Sequence, residues 1–237
     1  MIKFFKDLLF PKLCYVCQKE GSFLCVECLH KYIKVDPINR CHICNKESRI
    51  GFAHKDCLEY TNIDGVLNLT IYDGLIKKMI YDIKYNFYFE VAQTLSIIMA
   101  DYLHFFNFDK DSTLLSFVPS AKSKIKARGF NQSEVLCRYL SISIGWKSLK
   151  ILEKSKSTGA QAKLDKQGRA ENLRGAFKLR IKKSTGDQTI IPESVENIII
   201  VDDVFTTGAT LNECARIIKS VYPRLKVYGF VIAKARN

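Results

Sequence analysis

At 237 residues the chain is long enough for one ordinary domain plus a small one, and 47% hydrophobic against 26% charged side chains excludes a disordered polymer. The net charge of +13 is concentrated: residues 111–190 carry 17 basic and 6 acidic side chains, which points to an anionic partner such as nucleic acid or a polyphosphate. No apolar run approaches the ~20 residues of a membrane span.

Met1 to Phe10 (MIKFFKDLLF) is too short and too interrupted for a signal peptide, and its apolar side chains are expected to pack against the protein. The expected compartment is the cytoplasm, where paired cysteines more often hold metal than form disulfides. Seven of the nine cysteines fall within residues 14–57. They read Cys14-x-x-Cys17, Cys25-x-x-Cys28, Cys41-x-x-Cys44 and His54-x-x-Cys57, each pair offering two ligands from a tight turn at a spacing that suits tetrahedral zinc. Eight ligands suffice for two structural zinc ions, with consecutive and alternating pairings both open. Without His54 and Cys57, one four-thiolate site remains. His30 and His42 are reserve ligands, and Cys137 and Cys214 are expected in the core. A segment this small cannot bury much apolar surface, so metal binding would supply its folding free energy.

Val66 to Tyr72 alternates as a strand does. Leu75, Ile76, Met79, Ile80 and Ile83 recur at helical spacing, as do Val91, Leu95, Ile98, Met99, Tyr102 and Leu103. The aromatics Tyr81, Tyr85, Phe87, Tyr88 and Phe89 could form a base-stacking surface, but packing in the core is the expected use. Leu114 to Val118 reads as a short strand that runs into the loop Pro119-Ser120-Ala121-Lys122. Lys122, Lys124, Lys126 and Arg128 stand at alternate positions, as if lining one side of an extended segment against a phosphate backbone or a pyrophosphate. Asn131 is a candidate cap for a helix starting near Gln132. Lys154 to Arg174 is basic and aperiodic, the mark of a functional or mobile loop.

Ile198 to Val201 reads as a buried parallel strand, with Asp202 and Asp203 at the end where open α/β sheets bind ligands. Thr206-Thr207-Gly208-Ala209-Thr210 then opens a helix running from Ala209 to Val221. Backbone N–H groups and threonine hydroxyls at that helix start form an anion cradle, and Gly208 lets the backbone approach a phosphate. Two carboxylates beside it can accept hydrogen bonds from a ribose diol or meet magnesium.

This run resembles the phosphoribosyl-pyrophosphate (PRPP) signature of type I phosphoribosyltransferases. The chain as a whole resembles the ComF (ComFC) competence family. The likeness rests on the cysteine pairs, Ala127-Arg128-Gly129-Phe130-Asn131-Gln132, the segment Gln161…Arg169…Glu171-Asn172-Leu173…Ala176-Phe177, and the PRPP run. The resemblance implies an α/β fold: a twisted, mostly parallel sheet of about five strands with helices on both sides. It divides the chain into a zinc module, 1–60, and a phosphoribosyltransferase-like domain, 61–237.

It also implies residue roles. Asp202 and Asp203 would hold ribose hydroxyls and magnesium; Thr206 to Thr210 would hold the 5-phosphate. Pro119, Ser120, Ala121 and Lys122 would take pyrophosphate. Residues 154–174 would close over the site, with Arg128 and Arg169 as phosphate contacts. The function implied is the handling of incoming single-stranded DNA in natural transformation, with Lys122, Lys124, Lys126, Arg128 and Arg169 on the DNA. The partners would be single-stranded DNA, PRPP, and cytoplasmic components of the uptake machinery, at a cytoplasmic position that can be peripheral to the inner membrane. The alternative is an active phosphoribosyltransferase, whose acceptor nothing in the sequence identifies.

Overall fold

The computed structural model describes residues 11–33, 40–48, 51–155, 173–180 and 191–235. Met1 to Phe10, Gln161, Arg169, Glu171, Asn172 and most of the 154–174 segment lie outside them. The elements in chain order are helix α1 (Val26–Tyr32), a 3-10 turn (Lys55–Tyr60), strand β1 (Gly65–Ile71), helices α2 (Gly74–Tyr85) and α3 (Phe89–Leu103), and strand β2 (Thr113–Phe117). Helices α4 (Lys122–Arg128) and α5 (Gln132–Ile144), strands β3 (Leu152–Lys154), β4 (Phe177–Leu179) and β5 (Asn197–Phe205), helix α6 (Ala209–Val221) and strand β6 (Lys226–Lys234) follow.

Four strands form one sheet in the order β1-β6-β5-β2, and every neighbouring pair is parallel. The expected fifth position is a single bridge: Leu115 N–H donates to Lys147 O at 3.0 Å, and Leu149 N–H donates to Leu115 O at 2.9 Å, on the outer edge of β2. β3 and β4 pair separately as an antiparallel ribbon.

Both faces of the sheet are covered, which is why β5 is β-branched from Ile198 to Val201. Ile199 and Val201 pack with Ile76, Met79, Leu95, Met99 and Leu136 of α2, α3 and α5. Ile198 and Ile200 pack with Leu211, Cys214, Ala215 and Ile218 of α6 and with the ribbon. Cys137 and Cys214 are buried there as expected. Cys14, Leu24, Cys28 and Ile33 belong to the same buried cluster as α2 and α3. α6 lies close on the sheet because β6 has a glycine beneath it: a Cβ on Gly229 would stand 2.6 Å from Leu211 Cδ1.

Local chemistry sets the helix starts. The Asp73 side chain accepts from Ile76 N–H and opens α2. Asn131 opens α5 by accepting from Ser133 N–H. Two expectations are corrected. Lys122 to Arg128 is helical, not extended. At ~100° per residue, alternate positions fall on opposite sides of a helix, so Lys122 with Lys126 and Lys124 with Arg128 form two flanks and not one stripe. Tyr81, Tyr85, Phe87 and Tyr88 are exposed and not in the core: the buried face of α2 is already filled by Ile76, Met79, Ile80 and Ile83, and Phe87 and Tyr88 lie in the turn beyond its end.

Candidate phosphoribosyl and metal sites

The cysteines gather into two groups, Cys14, Cys17, Cys25, Cys28 and Cys41, Cys44, His54, Cys57, each with its ligand atoms within 4.8 Å of one another. This selects the consecutive pairing over the alternating one. All nine cysteines are free thiols. His30 and His42 stand outside both groups. In the first group Cys17 Sγ and Cys25 Sγ are 3.6 Å apart. In the second, His54 Nδ1 lies 3.2 Å from Cys44 Sγ, while its Nε2 lies 3.0 Å from Glu47 O. A backbone carbonyl on one ring nitrogen leaves the other for metal, the usual support of a zinc-bound histidine. Burial raises the Cys14 and Cys41 thiols, but surrounding backbone N–H groups, from Cys17 and from Cys44 respectively, lower them further. Both groups fit zinc, which would join the chain ends of each loop and leave no ligand position for substrate.

The acidic pair sits in the last part of β5, where the strands of the sheet end together. Asp202 Oδ1 accepts from Ser133 Oγ at 2.7 Å and from Asp203 N–H at 3.0 Å. Burial, then the charge of Asp203, push the Asp202 carboxyl up to about 7. Asp203 is buried and its Oδ2 is paired with Lys84 Nζ. Burial opposes the charge on Lys84, but Asp203 and Asp202 outweigh it and raise its pKa. Sequence reasoning missed Lys84 and Ser133. The available signal was a lysine in helical register with Ile76 and Ile80, on a face that is otherwise apolar.

This arrangement bears on magnesium. The cation position at Asp203 is filled by an ammonium of the protein itself, and burial with the charge of Asp203 raises the proton affinity of Asp202. A magnesium ion bound directly by Asp203 would have to displace Lys84 from it.

On one side of the pair the loop Pro119 to Lys122 borders a cavity of ≈ 200 Å³ that Lys122, Lys150, Lys154 and Lys178 also line. Asn131 fixes that loop: its Oδ1 accepts from Ser120 Oγ at 2.9 Å, and its Nδ2 donates to Val118 O at 2.9 Å. Lys154, expected to begin the aperiodic loop, instead ends strand β3 and lines this cavity with Lys150 and Lys178. On the other side, Gly208 takes φ 76° and begins α6. A Cβ there would stand 2.7 Å from the Phe205 ring, so only glycine suits the turn. Thr207, Gly208 and Ala209 line a second cavity of ≈ 380 Å³, whose far wall is His42, Ile43, Tyr60 and Thr61 from the second cysteine group. That wall is tied to α6: Asn212 Oδ1 accepts from Thr61 Oγ1 at 3.1 Å and from Asn62 N–H at 2.6 Å. The turn at Thr207 to Ala209 and the loop between Cys41 and Cys44 therefore line one cavity. Arg169 falls outside the described residues, and Arg128 faces Tyr85, to which it donates a 3.0 Å hydrogen bond.

No protein-family model matches the chain. It is 30% identical to the DNA utilization protein YhgH of Escherichia coli K12 over 152 residues, 60% of each chain. It is 32% identical to Competence protein F of Haemophilus influenzae over 108 residues, 45% of this chain and 44% of the relative. It is 36% identical to the DNA utilization protein YhgH of Salmonella typhi over 93 residues, 38% and 36% respectively. The chain thus spans about 60% or less of the length of these curated relatives.

Two outcomes are expected. Native mass spectrometry should find two zinc ions per chain, with Cys28→Ser and Cys57→Ser each losing one. Cys28→Ser should also lower the unfolding midpoint, since Cys14 and Cys28 belong to the helix-side core. The second concerns pH. Asp202 binds its proton more tightly folded than unfolded, so its stabilising contribution is full below the ordinary value of 3.8 and is lost as pH rises toward about 7. Thermal melts between about pH 5 and about pH 8 should show wild-type stability falling, and the fall should be smaller in Asp202→Asn.

Proposed function

We propose that the chain, which is similar to the DNA utilization protein YhgH and to Competence protein F, is a ComF-type competence protein that handles incoming single-stranded DNA during natural transformation and carries a pocket for PRPP or a related phosphoribosyl compound. The observation that supports the reading is a single edge of the parallel sheet. There the acidic pair lies near the end of β5, the threonine–glycine turn follows it directly, and hydrogen bonds through Ser133 and Asn131 link Asp202 to the loop bordering the lysine-lined cavity. A diol acceptor flanked by two anion sites matches a ribose bearing phosphate at one end and pyrophosphate at the other. Asp202 and Asp203 would take the hydroxyls, with Lys84 and Ser133 keeping the carboxylates oriented. Thr206 to Thr210 would take the 5-phosphate, and Ser120, Ala121 and Lys122 the pyrophosphate. The reading needs no metal on the carboxylates.

DNA lacks the 2-hydroxyl that this acidic pair suits, so the strand would bind elsewhere. Lys122, Lys124 and Lys126 are exposed on α4; Lys122 also lines the lysine cavity, while Lys124 and Lys126 do not line it. Phosphate contacts by such side chains release counterions, which makes affinity fall with salt. Cytoplasmic parts of the uptake machinery are the proposed protein partners, and the chain is divided functionally into the zinc module, 1–60, and the pocket domain, 61–237.

A second reading, phosphoribosyl transfer, draws on the same lysine cavity, which would stabilise a departing pyrophosphate. Pyrophosphate release from PRPP in the presence of bases, nucleotides or DNA would establish it; PRPP binding without release leaves the first.

Two measurements test the proposal. Asp202→Ala combined with Asp203→Ala should abolish PRPP binding by calorimetry in a folded protein; retained affinity would remove the pair from the pocket. Changing Lys122, Lys124 and Lys126 together to alanine should flatten the salt dependence of DNA binding by up to roughly three phosphate contacts. An unchanged slope would take α4 off the DNA.

A further inference from the structure

Eight consecutive residues, 81–88, carry four aromatic side chains that the core does not use. Tyr81, Tyr85, Phe87 and Tyr88 are 55%, 49%, 52% and 46% exposed. Tyr81 and Tyr85 stand one turn apart on α2, with ring centroids 4.7 Å apart. Phe87 follows in the turn after the helix and touches Phe130 at 5.8 Å.

The turn that presents Phe87 is not a relaxed one. Phe87 has φ 59°, in the left-handed region that bulky side chains rarely enter. Asp82, itself buried, holds the turn closed. Its Oδ1 accepts from Asn86 Nδ2 at 2.6 Å, and its carbonyl accepts from Asn86 N–H at 3.0 Å and Tyr88 N–H at 3.3 Å. Its Oδ2 accepts from Tyr15 Oη at 2.6 Å, which ties the turn to the first cysteine group. Strain of this kind persists where surrounding structure over-determines it, and it collects at sites of function. Here its result is a large ring held half in solvent.

Cations border the rings. The Arg128 guanidinium lies 4.8 Å from the Tyr85 ring and donates to its hydroxyl at 3.0 Å. Arg128 is the last residue of α4, which carries Lys122, Lys124 and Lys126. The rings thus meet the basic helix α4 at its last residue, Arg128.

We infer that Tyr81, Tyr85 and Phe87 form a stacking platform for the bases of single-stranded DNA whose phosphates run along α4. The inference rests on the DNA reading above and adds what it lacked, a contact with the bases. Aromatic faces beside a basic track are the chemistry of sequence-independent single-strand binding, because every base offers a π-face. Charge selects this occupant over a second copy of the chain, which would bring two α4 helices and their lysines together. In the same turn of α2, Lys84 points inward to Asp203 while Tyr81 and Tyr85 face outward, so the platform and the pocket share one element.

The test is fluorescence anisotropy of a labelled oligothymidine with the full chain, titrated across salt. Changing Tyr81, Tyr85 and Phe87 together to alanine should weaken binding by roughly tenfold or more at every salt concentration, with the salt slope unchanged. Tyr85→Phe, which keeps the ring, should bind nearly as wild type. An abasic strand of the same length should bind wild type and the triple variant alike. Affinity of the folded triple variant within twofold of wild type would overturn the inference, as would a loss equally large on the abasic strand. A wild-type chain that binds no oligonucleotide would overturn both the platform and the DNA reading, while PRPP calorimetry would still judge the pocket. Failure of the platform alone would leave wild-type DNA binding intact.

Discussion

Two neighbouring carboxylates at the end of a buried strand repel each other and lose solvation together, and the site depends on how that cost is met. Strand alternation sends Asp202 and Asp203 to different sides. Asp203 receives Lys84 from α2, and Asp202 receives a hydroxyl from Ser133 of α5. Removing one partner of such a pair leaves an uncompensated charge, which costs more than the pair contributes. The carboxylates can therefore stay in place only while α2 and α5 are docked on the sheet. The burial of Ile76, Met79, Leu136 and Leu140 does that docking.

Asparagine plays the same role for the loops. Asn131 caps α5 and, with the rest of its amide, holds Val118 and Ser120, so one side chain joins a helix start to the loop bordering the lysine cavity. Asn212 joins α6 to Thr61 and Asn62 in the same manner. Both are short polar side chains whose donors and acceptors are shared between elements distant in sequence. Such links set loop position more firmly than apolar contact, because hydrogen bonds are directional.

The cysteine groups act through these links and not only through their own loops. The first contributes Cys14 and Cys28 to the helix-side core and Tyr15 to Asp82. The second supplies the far wall of the cavity at the anion loop. Metal binding at either group would stabilise surfaces that belong to the larger domain, by the linkage between ligand binding and folding.

The sequence by itself determined what is local. The β-branched run before Asp202, the helix from Ala209 to Val221, the cap at Asn131 and the C-x-x-C turns are each specified by neighbours a few residues away. Only the tertiary structure decided what crosses the chain. It selected the consecutive cysteine pairing, because that depends on which loops meet. It made Lys122 to Arg128 a helix, because alternate charges suit a strand on paper but carry no tertiary constraint. It placed Lys84 on Asp203 and left Tyr81 and Tyr85 in solvent, because the apolar face of α2 had room for only one set of side chains, and it held Phe87 half in solvent in the turn beyond the helix. A pattern of residue types shows which faces a helix has; the elements packed against it decide which face is buried and what charge waits there.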